Sequence, residues 1–241
     1  MNTSPQHHPD KNLLIEFAAG TLERAPAIAV KAHLHYCPKC TLEVQQLEQV
    51  GAALFLSGAS EPSTENTDKT DFTELMKKID DIALAAEEVT NTAHVSDDEN
   101  NQSGHTNSLP SKYAALPQLV KKMMLNNKLK WQYTTKNLRS ANLIAGQDQY
   151  AVSLQNILAG GHVPEHEHLG DEITVVLKGS FSDEDNMYQQ GDFLLKSTGD
   201  RHRPMAASNE DCLCLSVEQA PVKLTGAFSR LLNPFIKINK M

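Results

Sequence analysis

The chain has 241 residues, with 30 Asp and Glu against 22 Lys and Arg for a formal net charge of −8 at pH 7. That length suits two domains of about 100 residues each, and the acidic balance argues against direct binding to nucleic acid. No apolar run of about 18 residues occurs, and the start Met1 to Asp10 is polar, so neither a membrane span nor a secretion signal is expected and a cytoplasmic protein is.

The first elements are helical. Asp10 to Leu22 carries Leu14, Phe17, Ala18 and Thr21 on one face, with Gly20 as a terminator. Arg24 to His35 reads as a second helix, in which Pro26 is tolerated only within the first turn. Pro38 suits the first position of a third helix running to about Leu56, with Val44, Leu47, Gly51 and Leu54 as its apolar stripe. A bundle of about 55 residues is too small to hold itself firmly without a staple.

The staple is written into the same stretch. His33, Cys37 and Cys40 form H-x-x-x-C-x-x-C, with both cysteines at a helix start, where the helix dipole favours thiolate. Two sulfurs and one imidazole make three corners of a tetrahedral zinc site. His8, just before the first helix, is the best candidate for the fourth; His7 and His35 are rivals. In a cytosolic chain, four cysteines point to metal, redox or core roles rather than structural disulfides.

A polar connector follows from Gly58 to Thr70, then a helix from Asp71 to Glu88 with Phe72, Leu75, Met76, Ile79, Ile82 and Ala83 on one stripe. That stripe either packs on the bundle or clasps a partner. Between Glu61 and Asn100 twelve acidic residues face only Lys69, Lys77 and Lys78, a charge distribution suited to a basic partner. Thr90 to Ser111 has almost nothing to bury and reads as a flexible linker.

From about Leu116 the pattern changes to short strands: Trp131 to Thr135, Tyr150 to Leu154, Ile173 to Leu177, Asp192 to Lys196 and Cys212 to Val217. Such spacing points to a β-sandwich or barrel. Here lies a second ligand set of different chemistry, G-x5-H-x-H-x3-E-x6-G from Gly160 through His166, His168 and Glu172 to Gly179, with His202 downstream. Residues i and i+2 of a strand share a face, so both imidazoles enter one interior. Three histidines and a carboxylate suit zinc, manganese, iron or nickel. Cys212 and Cys214 share one strand face; the simple reading is a buried strand, the functional one a sensor pair.

Two resemblances follow from these residues. The segment from His8 through Ala18 to Leu22 and on through His33 to Cys40 resembles the zinc-binding anti-sigma domain. That resemblance implies His8, His33, Cys37 and Cys40 as zinc ligands and a fourth helix that helps clamp a sigma factor of the extracytoplasmic-function type. Gly160 to Gly179, with Gly191, Gly199 and His202, is similar to the two cupin motifs, departing at Ser197, where proline is usual, and at Ala206, where asparagine is usual. The pairing in this order resembles the ChrR type of anti-sigma factor. It implies a multidomain α + β protein: a small zinc-stapled helical domain at 1–89, a flexible linker at 90–112, and a cupin β-barrel of jelly-roll type at 113–241. The helices are expected to inhibit the sigma factor, and the barrel to release it on sensing singlet oxygen or organic hydroperoxides. Release by oxidation, metal loss or proteolysis is left open. The rival reading is a dioxygenase-like cupin enzyme with an accessory zinc module.

Overall fold

The computed structural model describes residues 4–58, 109–127, 129–144 and 149–226. The helix expected over 71–88, most of the linker and the tail from Phe228 to Met241 lie outside the described residues.

Helix α1 (Lys11–Ala18) begins where the Asp10 carboxylate accepts the Leu13 N–H, satisfying an orphan donor of the first turn. Gly20, at φ 70°, turns the chain after its end. Helix α2 (Arg24–Leu34) carries Pro26 in its first turn and buries Ala25, Ile28, Ala29, Ala32 and His33. The small side chains on that face let the helix lie close to what it covers. Helix α3 (Pro38–Gly58) starts on Pro38, whose missing N–H costs nothing there. Its inner turns bury Cys40 and Val44, with Leu47 half-buried. The expected stripe stops at that point: Gly51 and Leu54 are exposed, as are Val50, Phe55 and Leu56. A further helix, α4 (Gln118–Asn126), buries Val120, Met123 and Met124 at helical spacing, where the sequence pattern suggested only strands.

The barrel is antiparallel throughout. Strands β1 (Gln132–Tyr133), β2 (Leu138–Ile144), β3 (Ala151–Ile157), β5 (Glu172–Lys178), β8 (Phe193–Lys196) and β11 (Cys212–Glu218) form one sheet in the order β1-β2-β3-β11-β5-β8. Strands β6 (Ser180–Ser182), β7 (Met187–Gln189) and β10 (Met205–Ala206) form a second, in the order β10-β6-β7. A third joins β4 (His166–His168), β9 (Arg201–His202) and β12 (Val222–Leu224), in the order β12-β4-β9. This is the cupin fold, with helices at the N-terminal side of the chain.

The six-stranded sheet is covered on both faces. Leu213, Leu215 and Val217 of β11 join Ile173, Val175 and Leu177 of β5 in the core shared with α1, α2 and α4. Cys212 and Cys214 join Leu138, Ile157 and Val176 in the opposite, interior core. Burial on both sides explains why Cys212 to Leu215 reads as an unbroken apolar run rather than an alternation. The helices as far as Leu54 and the barrel form one compact unit, Met1–Leu54 with Asn107–Met241. Direct bonds cross between them: the Tyr36 hydroxyl donates to the Leu177 carbonyl at 3.1 Å, and the Phe193 N–H donates to the His7 carbonyl at 3.1 Å.

Candidate metal centres

The first centre gathers residues from three pieces of chain. His8 precedes α1, His33 lies in the last turn of α2, and Cys37 and Cys40 flank the start of α3. One ligand atom from each lies within 4.8 Å of the others. The His8 Nδ1 is 3.4 Å from the Cys37 and the Cys40 Sγ atoms and 3.5 Å from the His33 Nε2. A tetrahedron built on zinc–nitrogen and zinc–sulfur bonds of about 2.0–2.3 Å has edges of about 3.3–3.8 Å, so the donors stand where such an ion would need them. The His33 Nδ1–H donates to the Gly191 carbonyl at 2.6 Å, which turns the Nε2 lone pair inward. Burial keeps both rings neutral: it holds His33 down at about 4, and with Lys39 nearby it lowers His8.

The Cys40 thiol behaves differently from the expectation at a helix start. Burial, reinforced by the hydrogen bond and proximity of Cys37, pushes the Cys40 thiol up to about 12. Desolvation at 1% exposure outweighs the helix dipole. A cation is what would draw off this proton. Of the rival histidines, His7 places its ring 3.1 Å from the Asp192 carboxylate, and His35 is exposed against Tyr36.

The second centre is made by strand register. β4 and β9 pair with His166 opposite His202, His168 follows two residues along the same face, and Glu172 opens β5. One ligand atom from each of the four again lies within 4.8 Å of the others. The His202 Nε2 is 2.9 Å from the His166 Nε2 and 3.1 Å from the His168 Nε2. Two of the Nδ1 atoms have acceptors, the Pro164 carbonyl for His166 at 2.9 Å and Asp183 Oδ2 for His202 at 3.3 Å, while the His168 Nδ1 lies 3.3 Å from Glu172 Oε2. With the protons on Nδ1, three bare Nε2 lone pairs face one another, an arrangement that repels unless a cation sits between them. Spacing of about 3.0 Å is that of neighbouring corners of an octahedron around an ion with bonds of about 2.1 Å. Burial, aided by the adjacent imidazoles, lowers His168 to about 4 and His202 to about 3, and burial also lowers His166.

A further layer lies behind Glu172. Its Oε1 accepts from Ser216 at 2.8 Å and Thr174 at 3.2 Å; burial raises its pKa against those bonds. Ser216 is also 3.0 Å from Glu218, which accepts from Gln155 at 2.7 Å. Burial, then the proximity of Glu172, lifts Glu218 to about 7. Asp183 is pulled down despite its burial, by the Asn186 and Asp185 N–H groups and by His202. None of these supporting residues stands at a motif position, so spacing alone did not point to them.

At Ser197, where the motif departs from proline, the turn is held by other means. The Ser197 N–H donates to Asp200 Oδ2 at 2.8 Å, and the Asp200 N–H returns to the Ser197 carbonyl at 3.0 Å. Ala206 is buried and pairs with Phe181. Cys212 and Cys214 face the barrel interior with their sulfurs 3.6 Å apart, and the contact with Cys212, together with burial, raises the Cys214 thiol.

Known proteins align with both halves. Residues 120–222 match the family described as the ChrR cupin-like domain. Over 233 residues, 97% of this chain and 99% of the relative, the sequence is 28% identical to the anti-sigma-E factor ChrR of Cereibacter sphaeroides. The fold is similar, at a TM-score of 0.62 and 25% identity, to a chain in the crystal structure of Rhodobacter sphaeroides SigE in complex with the anti-sigma ChrR, covering 88% of this chain and 98% of that one. An RmlC-like cupin protein of Ralstonia eutropha is similar at a TM-score of 0.38 and 18% identity, over 42% of this chain and 69% of that one. Among the described residues no helix is long and apolar enough to cross a membrane.

Proposed function

We propose that this chain, which resembles the ChrR type of anti-sigma factor over nearly its whole length, binds and inhibits a sigma factor of the extracytoplasmic-function type through its N-terminal helices. It acts as a regulator and not as an enzyme. The barrel releases the sigma factor on sensing oxidative stress such as singlet oxygen or organic hydroperoxides. In this reading, His8, His33, Cys37 and Cys40 hold zinc as a structural staple. His166, His168, Glu172 and His202 hold zinc or another divalent transition metal in the barrel.

The observation that carries the proposal is the meeting of two buried ligand sets on one chain with a likeness that runs through both of them, over 97% of the chain. The apolar face of α3 beyond Leu47 supports it. Val50, Phe55 and Leu56 are 57%, 80% and 71% exposed, a density of apolar side chains that suits a partner surface. The acidic stretch between Glu61 and Asn100 would favour a basic partner. Domain limits of 1–89, 90–112 and 113–241 remain part of the proposal.

Affinity capture of the tagged full chain from its host, followed by mass spectrometry, tests it. A sigma factor should accompany the wild type and be lost with Cys37→Ala, because one missing corner opens the staple. A sigma factor retained by both Cys37→Ala and Cys40→Ala would remove the structural role of the centre. Turnover of a small molecule by the chain, with no sigma factor captured, would favour the cupin enzyme instead.

A further inference from the structure

The N-terminal centre does not end at its own helices. The turn between β7 and β8, Gln190 to Asp192, reaches from the barrel to the residues around it. The Gly191 carbonyl takes the Nδ1–H of His33 at 2.6 Å. Asp192, only 1% exposed, accepts four bonds on its two oxygens. Oδ1 takes the Gln6 N–H at 2.6 Å and the His7 N–H at 3.0 Å. Oδ2 takes the His7 ring at 3.1 Å and the Gln189 N–H of its own turn at 2.9 Å. His7 is the immediate neighbour of His8, and its carbonyl is fixed in turn by the Phe193 N–H at 3.1 Å. The fit leaves no slack: a Cβ added at Gly191 would meet the Tyr36 Cβ at 2.6 Å and the Pro5 Cγ at 2.7 Å.

The lead-in segment that carries His8 has no helix or strand of its own to hold it. Its backbone is held by Asp192 and Phe193. A ligand on an otherwise unsupported segment is positioned only as well as that support allows.

We propose that the barrel turn Gly191–Asp192 is the outer shell of the N-terminal metal centre, with Asp192 as the positioning residue for His8 and Gly191 as that for His33. The inference rests on the metal reading of the His8, His33, Cys37 and Cys40 set. It adds that a centre in the helices depends on the barrel, so a displacement of this turn loosens two of its four ligands. No contact of this kind could be read from the sequence, because 185 residues separate His7 from Asp192.

Cobalt(II) distinguishes the two centres in the full-length protein. The thiolate-to-cobalt charge-transfer band reports Cys37 and Cys40, whereas the imidazole and carboxylate set of the barrel contributes none. The experiment times the loss of that band to excess EDTA, while the cobalt released beyond that centre's share follows the barrel centre. Asp192→Ala should speed loss of the band about tenfold or more, and Asp192→Asn, which keeps one acceptor oxygen, should do so by less. Release from the barrel centre should stay at the wild-type rate in both. An unchanged band lifetime in both variants would overturn the proposal. Equal acceleration at both centres would also overturn it, since that is general loosening of the fold. No charge-transfer band in the wild type would overturn the metal reading itself, and the proposal with it.

Discussion

Glu172 and Glu218 share the hydroxyl of Ser216 inside the barrel, and two carboxylates so placed cannot both be charged cheaply. Burial and the proximity of Glu172 lift Glu218 to about 7 from an ordinary 4.5. The folded state therefore holds the Glu218 proton more tightly than the unfolded chain does. The stabilisation this brings is fully present below about pH 4.5 and is lost as pH rises through about 7. In metal-stripped protein, Glu218→Gln should raise the unfolding free energy at pH 8 by on the order of 1–3 kcal/mol, seen as a higher thermal midpoint, and the gain should shrink to nothing towards pH 5. Differential scanning calorimetry at the two pH values checks this; an equal effect at both would show that Glu218 is not the titrating group. At this scale the candidate metal ligands were visible in the sequence, because H-x-x-x-C-x-x-C and H-x-H-x3-E keep them within a turn or a strand of one another. The residues that orient them were not. Pro164, Asp183, Gly191 and Ser216 reach the sites through tertiary contacts, and no fixed spacing records those.

Helix α3 changes character along its length. Cys40 and Val44 face inward, whereas from Val50 onward the apolar side chains are exposed. A long helix that leaves its apolar face uncovered gains little from it in the folded monomer, so substitutions there should separate binding from stability. Phe55→Ser is expected to weaken sigma-factor binding by about 2 kcal/mol or more while moving the thermal midpoint little, because the ring is 80% exposed. Titration calorimetry against the captured sigma factor, alongside thermal melts, would decide; unchanged affinity would place the interface elsewhere. Periodicity located α1, α2 and α3 because their caps and prolines punctuate them. It missed α4, although Val120, Met123 and Met124 keep helical spacing, because Lys121 and Lys122 interrupt a short apolar pattern. The short strands β6, β7, β9, β10 and β12 run to two or three residues each, too few for alternation to register.

At the scale of the molecule, release of a partner demands two states with different affinities. Moving an equilibrium from 1:99 to 99:1 takes about 10⁴-fold, or about 5.5 kcal/mol. A single exposed ion pair such as Arg201 with Glu167 supplies far less. The contact between helices and barrel is far more extensive, since it combines the buried face of α2, the Tyr36 bond to Leu177 and the Asp192 contacts with the lead-in segment. Strand β8 ties this contact to the barrel centre. Phe193 at one end bonds His7, and Lys196 at the other lies 3.6 Å from Asp183, the acceptor of the His202 ring. A change at the barrel centre thus has a four-residue path to the helices. His166 bonds within that centre and to Pro164, and none of its described contacts reaches the helices. His166→Ala should therefore leave inhibition and sigma-factor affinity near wild type. It should also blunt release when the purified complex is exposed to a photosensitiser and light, followed by fluorescence anisotropy of labelled sigma factor. Release at the wild-type rate would mean that the barrel centre takes no part in sensing, and the signal would have to enter at the interior thiols Cys212 and Cys214 or at the helices themselves.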